Sequence, residues 1–133
     1  MKTILIIEDD ISIARLIKTY VSFAGYEAAI APDGELALVM LGEEKYNLVI
    51  LDLMLPHVDG EMVLETIKKL RLPVIVVSAK SSLVDRVRLL RAGADDYITK
   101  PFSLKLVLMR IEAVLRRIKE KSEKQKILSA QGI

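Results

Sequence analysis

Apolar runs and helical stripes alternate along the 133-residue chain. Five short runs, 3–7, 26–31, 48–51, 73–77 and 96–99, have the length and side chains of strands. Leu48, Val49, Ile50 and Leu51 are apolar at every position, as in a strand buried on both faces. Between the runs lie segments of helical period: 11–24, 34–41, 61–70 and 83–92, with a last one from about 104 to about 118. In the first of these, Ile13, Leu16, Ile17, Tyr20, Val21 and Ala24 form one stripe, and Gly25 stops it. Asp10, Asp33, Asp59, Ser81 or Ser82, and Ser103 stand where helix caps belong. Strand then helix, five times over, predicts an α/β fold: a doubly wound parallel five-stranded sheet with helices on both faces.

Composition narrows this picture. The chain is 52% hydrophobic and 29% charged, which suits one globular domain and excludes disorder. It has no cysteine, so disulfides and thiolate zinc sites are excluded and a reducing compartment fits. The opening "MKTILIIEDD" meets acid too soon for a signal peptide, and no apolar run approaches the ~18 residues of a membrane span. A soluble, cytoplasmic protein with no membrane partner is expected. The net charge of +2 is unevenly spread: residues 116–133 carry six Lys/Arg against two Glu, leaving the body mildly acidic. A basic tail can bind nucleic acid, but nothing aromatic is interleaved for base stacking, and a solvated helix end is the better reading.

In open parallel sheets, ligands bind beyond the carboxyl ends of the strands. Those ends carry the chemistry here. The first strand ends in Glu8, Asp9 and Asp10, the third in Asp52, and the fourth in Ser78. The fifth runs into Thr99, Lys100 and Pro101, and the second ends blandly in Ala31-Pro32. Crowded carboxylates repel one another until a proton or cation relieves them. An all-oxygen donor set favours Mg2+, Mn2+ or Ca2+ over zinc, and Mg2+ commonly joins one or two carboxylates to phosphate oxygens. Asp9 and Asp52 suit that role, with Glu8 holding a metal-bound water. A carboxylate can also act as nucleophile and become an aspartyl phosphate, with the Ser78 hydroxyl and Lys100 ammonium on phosphoryl oxygens. Asp10 is read as the cap of the first helix. His57, the only histidine, is read as a surface loop residue, because one histidine without a partner makes a poor metal site.

The segments "ILIIEDD", "LVILDLMLPHVDG", "VIVVSAK" and "GADDYITKPF" resemble the motifs of the receiver domain of two-component response regulators over residues 2–118. The resemblance implies a flavodoxin-like (βα)5 sheet of order 2-1-3-4-5, an order for which a receiver protein is a standard example. It implies that Asp52 accepts phosphate from a sensor histidine kinase. Asp9, Asp52 and the Met54 backbone carbonyl would hold Mg2+ or Mn2+, with Glu8 acting through water. Ser78 and Tyr97 would form the switch pair, with Lys100 as the conserved-type lysine and Lys100-Pro101 as a cis peptide. The only chemistry expected is autocatalytic acceptance of phosphate and autodephosphorylation, not enzymatic activity on a separate substrate.

The segment "DRVRLLRAGADDYITKPFS" narrows the resemblance to receivers of winged-helix transcription regulators, the OmpR/PhoB type. Such receivers are similar in forming a homodimer through helix 4, strand 5 and helix 5. The face would hold Arg86, Arg91, Asp95, Asp96, Arg110 and Glu112 as ionic groups and Val87, Leu90 and Leu108 as an apolar patch. Two positions depart from the pattern. Leu106 stands where an acid usually faces Arg86, and Arg91/Glu112 reverses the common polarity. Residues 119–133 are expected to be a basic helix end or a linker toward a DNA-binding domain absent from the chain, through which alone DNA would be contacted. A stand-alone receiver acting by protein binding is the alternative. A haloacid-dehalogenase-type phosphatase is disfavoured because Glu8 stands where that family needs its aspartate. A Mg2+-dependent nucleic-acid enzyme is disfavoured by the acidic body.

Overall fold

The structure, a computed structural model, describes residues 2–55, 58–79 and 82–130. Strands β1 (Thr3–Ile7), β2 (Glu27–Ala31), β3 (Leu48–Asp52), β4 (Val74–Ser78) and β5 (Asp96–Thr99) alternate with helices α1 (Ile11–Phe23), α2 (Gly34–Glu43), α3 (Gly60–Lys69), α4 (Leu83–Arg91) and α5 (Leu104–Ala130). The sheet is parallel, as the alternation predicts, with the order β2-β1-β3-β4-β5 that the resemblance implies.

The period of two in each strand divides the core into two layers. Leu5, Ile7, Val49, Leu51, Val74 and Val76 face one way, against Ala37 and Leu41 of α2, Val63, Leu64 and Ile67 of α3, and Leu89 of α4. Ile4, Ile6, Leu48, Ile50, Ile75 and Val77 face the other, against Ala14, Ile17 and Val21 of α1 and Val107, Ile111 and Val114 of α5. Each fully buried aliphatic side chain contributes about 1.5–3 kcal/mol relative to exposure. Both layers are therefore needed, and between them they hold the sheet in place out to its strand ends.

The caps fall where the side chains allow them. Asp10 accepts from the Ser12 and Ile13 amides, Asp33 from Leu36, and Asp59 from Glu61. Ser82 accepts from Asp85, and Ser103 from Leu106. Gly25 closes α1 at a φ of +96°, a left-handed position that costs glycine least. Ser81, the other capping candidate for α4, lies outside the described residues, as does His57.

All five helices depart from the expected bounds, α1 to α4 by only one or two residues. α3 begins one residue early, at Gly60. α5 does not stop near 118 but continues to Ala130. Its last turns are exposed, so the apolar stripe that marks a packed helix is missing there, while Lys, Glu and Gln favour helix intrinsically.

Candidate phosphoacceptor site

Register delivers the polar residues to one rim. Ile7 pairs with Leu51, Asp52 with Val77, and Ser78 with Thr99, so β1, β3, β4 and β5 end nearly level. The backbone also pins the residues just beyond β1 and β5. Glu8 N donates to Ala31 O at 3.1 Å, and Lys100 N donates to Ser78 O at 2.9 Å. The Lys100-Pro101 peptide is cis. Below the rim, Gly60 lies so close to the Leu53 backbone that an added Cβ would stand 2.3 Å from Leu53 O. Only glycine permits α3 to start there, and this seats the chain after Asp52.

Glu8 and Asp52 are almost fully buried, at 3% and 4% exposure, and Asp9 is exposed. Carboxylate oxygens from the three lie within 4.8 Å of one another. Lys100 Nζ bridges two of them, donating to Glu8 Oε1 at 2.9 Å and to Asp52 Oδ2 at 3.0 Å. Asp52 Oδ1 accepts from Met54 N at 3.0 Å. Ser78 is fully buried at the end of β4.

The electrostatics follow from crowding. Burial, then the neighbouring Asp52, pushes the Glu8 carboxyl up to about 8, against the opposing pull of Lys100. Burial pushes Asp52 upward too, but the neighbouring Glu8, the hydrogen bond from the Met54 amide and the Lys100 ammonium outweigh it and hold this carboxyl below its usual value. Burial works against the charge of Lys100, yet Glu8 and Asp52 together raise its pKa. One cation is thus shared by two buried acids, and Asp52 is the acid kept ionised.

The residues present suit a divalent cation. The donor set is all oxygen, and buried Glu8 Oε2 has no hydrogen-bond partner among the described residues. Beside the rim, an apolar cleft is lined by Ile13, Leu16, Ala79, Pro101, Phe102 and Leu104, with Lys100 at its edge.

The remaining expected residues lie on α4, β5 and α5. Tyr97 is half-buried on β5, with the Arg86 guanidinium 6.0 Å from its ring centre. Val87, Leu90, Arg91 and Glu112 are exposed, and Leu106 and Leu108 are half-buried. Asp96 accepts from Arg110 Nη1 at 3.2 Å within the chain. Asp95 turns inward, where it accepts from Val74 N at 2.8 Å and pairs with Lys68 at 3.2 Å. The pattern of the sequence carries no hint of this last link, because Lys68 and Asp95 are 27 residues apart. Nor does it show that Glu8 shares Lys100 with Asp52.

A doubly wound sheet of this order, with acids beyond β1 and β3 and a lysine beyond β5, defines a receiver. The family described as response regulator receiver domain matches residues 4–112, and the chain belongs to it. The chain is 46% identical over 116 residues to a probable transcriptional regulator ycf27 of Galdieria sulphuraria, covering 86% of this chain and 46% of that protein. The chain spans about half the length of the curated relatives it matches. A receiver domain structure described as CheY-like, from Methanospirillum hungatei, superposes with a TM-score of 0.85 at 36% identity, covering 91% of this chain and 98% of that one. DrrB of Thermotoga maritima, described as an OmpR/PhoB homolog, superposes at 0.80 with 32% identity, over 88% of this chain and 54% of its own. The OmpR/PhoB type expected from the sequence is thus met among its relatives. Among the described residues, no helix is long and apolar enough to cross a membrane.

Proposed function

We propose that this chain is a phosphorylation-switched receiver whose phosphoacceptor is Asp52. The observation that carries the reading is the convergence of Glu8, Asp9 and Asp52 oxygens within 4.8 Å, with Lys100 Nζ 3.0 Å from Asp52 Oδ2. An ionised Asp52 oxygen attacks the phosphorus of a sensor kinase phosphohistidine. The P–N bond breaks, its electron pair returns to the imidazole, and an acyl phosphate forms on Asp52. Asp9, Asp52 and the Met54 carbonyl would hold Mg2+ or Mn2+, with Glu8 reaching it through water. When bound, that ion supplies charge to offset the incoming phosphoryl oxygens. Lys100 moves its ammonium from the carboxylates to the new phosphoryl group, and the Ser78 hydroxyl donates to it. The apolar cleft beside Lys100 offers the phosphodonor protein a seat.

Incubation with acetyl phosphate and Mg2+ tests this. A receiver gains one phosphoryl group at Asp52 and keeps it long enough for intact-mass detection, and EDTA prevents the gain. Continuous release of phosphate without a labelled protein would instead indicate a phosphatase.

Phosphorylation would draw Ser78 inward and let Tyr97 follow, repositioning α4 and β5. A ligand shifts a two-state equilibrium only through differential contacts, and the phosphoryl group makes them with the active form. The output is a two-fold dimer through α4, β5 and α5, with Val87, Leu90, Leu106 and Leu108 inside and Arg86, Arg91, Asp96, Arg110 and Glu112 around them, which Asp95 would join only by leaving Val74 and Lys68. The Asp96–Arg110 pair, here within one chain, would exchange for its equivalent across the axis. Residues 119–133 would lead to a DNA-binding domain, which fits relatives about twice as long. Exposed ion pairs contribute about 0–1 kcal/mol each, whereas a buried leucine contributes about 1.5–3 kcal/mol. The beryllofluoride-activated dimer is therefore expected to weaken less than about threefold between low and high salt. Sedimentation measures it, and an activated protein that stays monomeric at every salt concentration would refute this output face.

A further inference from the structure

α4 is the most lightly anchored helix of the fold. Its only buried side chain is Leu89, whereas α1, α2, α3 and α5 each bury two to four. Polar side chains supply the rest of its attachment. On one flank Arg88 pairs with Glu61 of α3. On the other, Arg86 Nη2 donates to Thr99 Oγ1 at 3.0 Å, and the same guanidinium stands 6.0 Å from the Tyr97 ring centre. Leu106 offers Arg86 no carboxylate, and among the described residues Arg86 forms no ion pair within 4.0 Å.

We propose that Arg86 is a positioning residue that latches α4 to β5, holding Tyr97 and Thr99 in their resting places until the site beyond β3 is charged. The geometry makes the latch direct. Thr99 pairs in register with Ser78 and immediately precedes Lys100, so its hydroxyl sits between the rim and α4. Any inward movement of Tyr97 must leave the Arg86 guanidinium, and any movement of α4 away from β5 must break the bond to Thr99. The charge of Arg86 is then used inside the monomer, where an acid at 106 would have drawn it across an interface. The latch stands on contacts in the resting chain, and only its link to switching rests on the receiver reading.

Amide hydrogen exchange over residues 83–91 tests it on the full chain without metal or phosphodonor. A hydrogen bond plus an exposed cation–π contact corresponds to about fivefold in a local opening equilibrium. Arg86→Ala, which removes both contacts, should speed exchange by about that factor, and Thr99→Val, which leaves Arg86 over Tyr97, should speed it by less. Their double variant should be no faster than the Arg86→Ala single, because both remove one device. Arg88→Ala should add its own effect independently. Arg86 is exposed and valine matches threonine in shape, and a melting transition that stays cooperative and falls by only a few degrees would confirm intact folding. Beryllofluoride titration in Mg2+ reads the switch: Arg86→Ala should bind about fivefold more tightly than the parent. Unchanged exchange in Arg86→Ala, full additivity with Thr99→Val, or equal or weaker beryllofluoride binding would overturn the latch. A parent protein that shows no Mg2+-dependent beryllofluoride binding would overturn the receiver reading instead, and exchange alone would then decide the latch.

Discussion

Asp52→Asn is expected to take up no phosphoryl group from acetyl phosphate under conditions that label the parent protein fully. The amide keeps the shape of the side chain but lacks an anionic oxygen. Removing a catalytic nucleophile elsewhere lowers turnover on the order of 10^6-fold, far beyond what intact-mass detection would register. The neighbours do not substitute for it. Glu8 carries its proton up to about pH 8, and Asp9 lies on the exposed lip of the rim. The same variant should also lose most of the thermal stabilisation that Mg2+ gives the parent, because a ligand raises stability only as far as it binds the folded state. Full labelling of Asp52→Asn, mapped to another residue, would sink the assignment. Full labelling with Mg2+ stabilisation intact would show that Asp52 is only a structural acid.

Lys100→Ala should separate holding the site together from holding a metal. Its ammonium is the cation shared by two nearly buried carboxylates, at 2.9 Å and 3.0 Å. Removing one partner of a buried pair costs about 3–5 kcal/mol, and the quarter exposure of the lysine places this case at the lower end, about 3 kcal/mol. The loss should appear as a lower midpoint of urea unfolding in EDTA. Mg2+ should restore much of it, because the oxygens that bind the ion remain and repel one another more. Affinity for Mg2+ should stay within a few-fold of the parent or rise, while beryllofluoride should no longer shift the protein toward its dimer. An unchanged midpoint in EDTA would show that the bridge contributes nothing. A large fall in Mg2+ affinity would show that Lys100 organises the acids for the metal.

The division of the chain into strands and helices was legible because each element has its own period and its own punctuation. Leu48 to Leu51 had to be a buried strand, and Asp10, Asp33 and Asp59 each marked a helix start by their capping chemistry. The rim was legible for a related reason. A parallel sheet sends all its carboxyl ends to one side, so Glu8, Asp9, Asp52, Ser78 and Lys100 could be gathered without knowing any distance. Partners within that gathering were less accessible. The place of Lys100 at the rim is legible, but its two bonds, to Asp52 and to Glu8, depend on how far β5 stands from β3 and β1. Asp95 gave no sign of Lys68, since nothing in a linear pattern announces a contact between two helix–strand junctions. The full extent of α5 is not legible in the apolar pattern, because past Ile118 the helix carries few apolar residues.

That extension has a mechanical side. At 1.5 Å per residue, the 12 residues beyond Ile118 reach about 18 Å past the last half-turn that touches the sheet. Val107, Ile111 and Val114 act as the fulcrum, and everything after them swings with it. A tilt of about 10° at that fulcrum, acting over the roughly 24 Å from Val114 to Ala130, would carry the far end through roughly 4 Å. α5 thus has the shape of a lever, seated along its first turns and free along its last, so that a slight displacement at the seat would arrive enlarged at its tip.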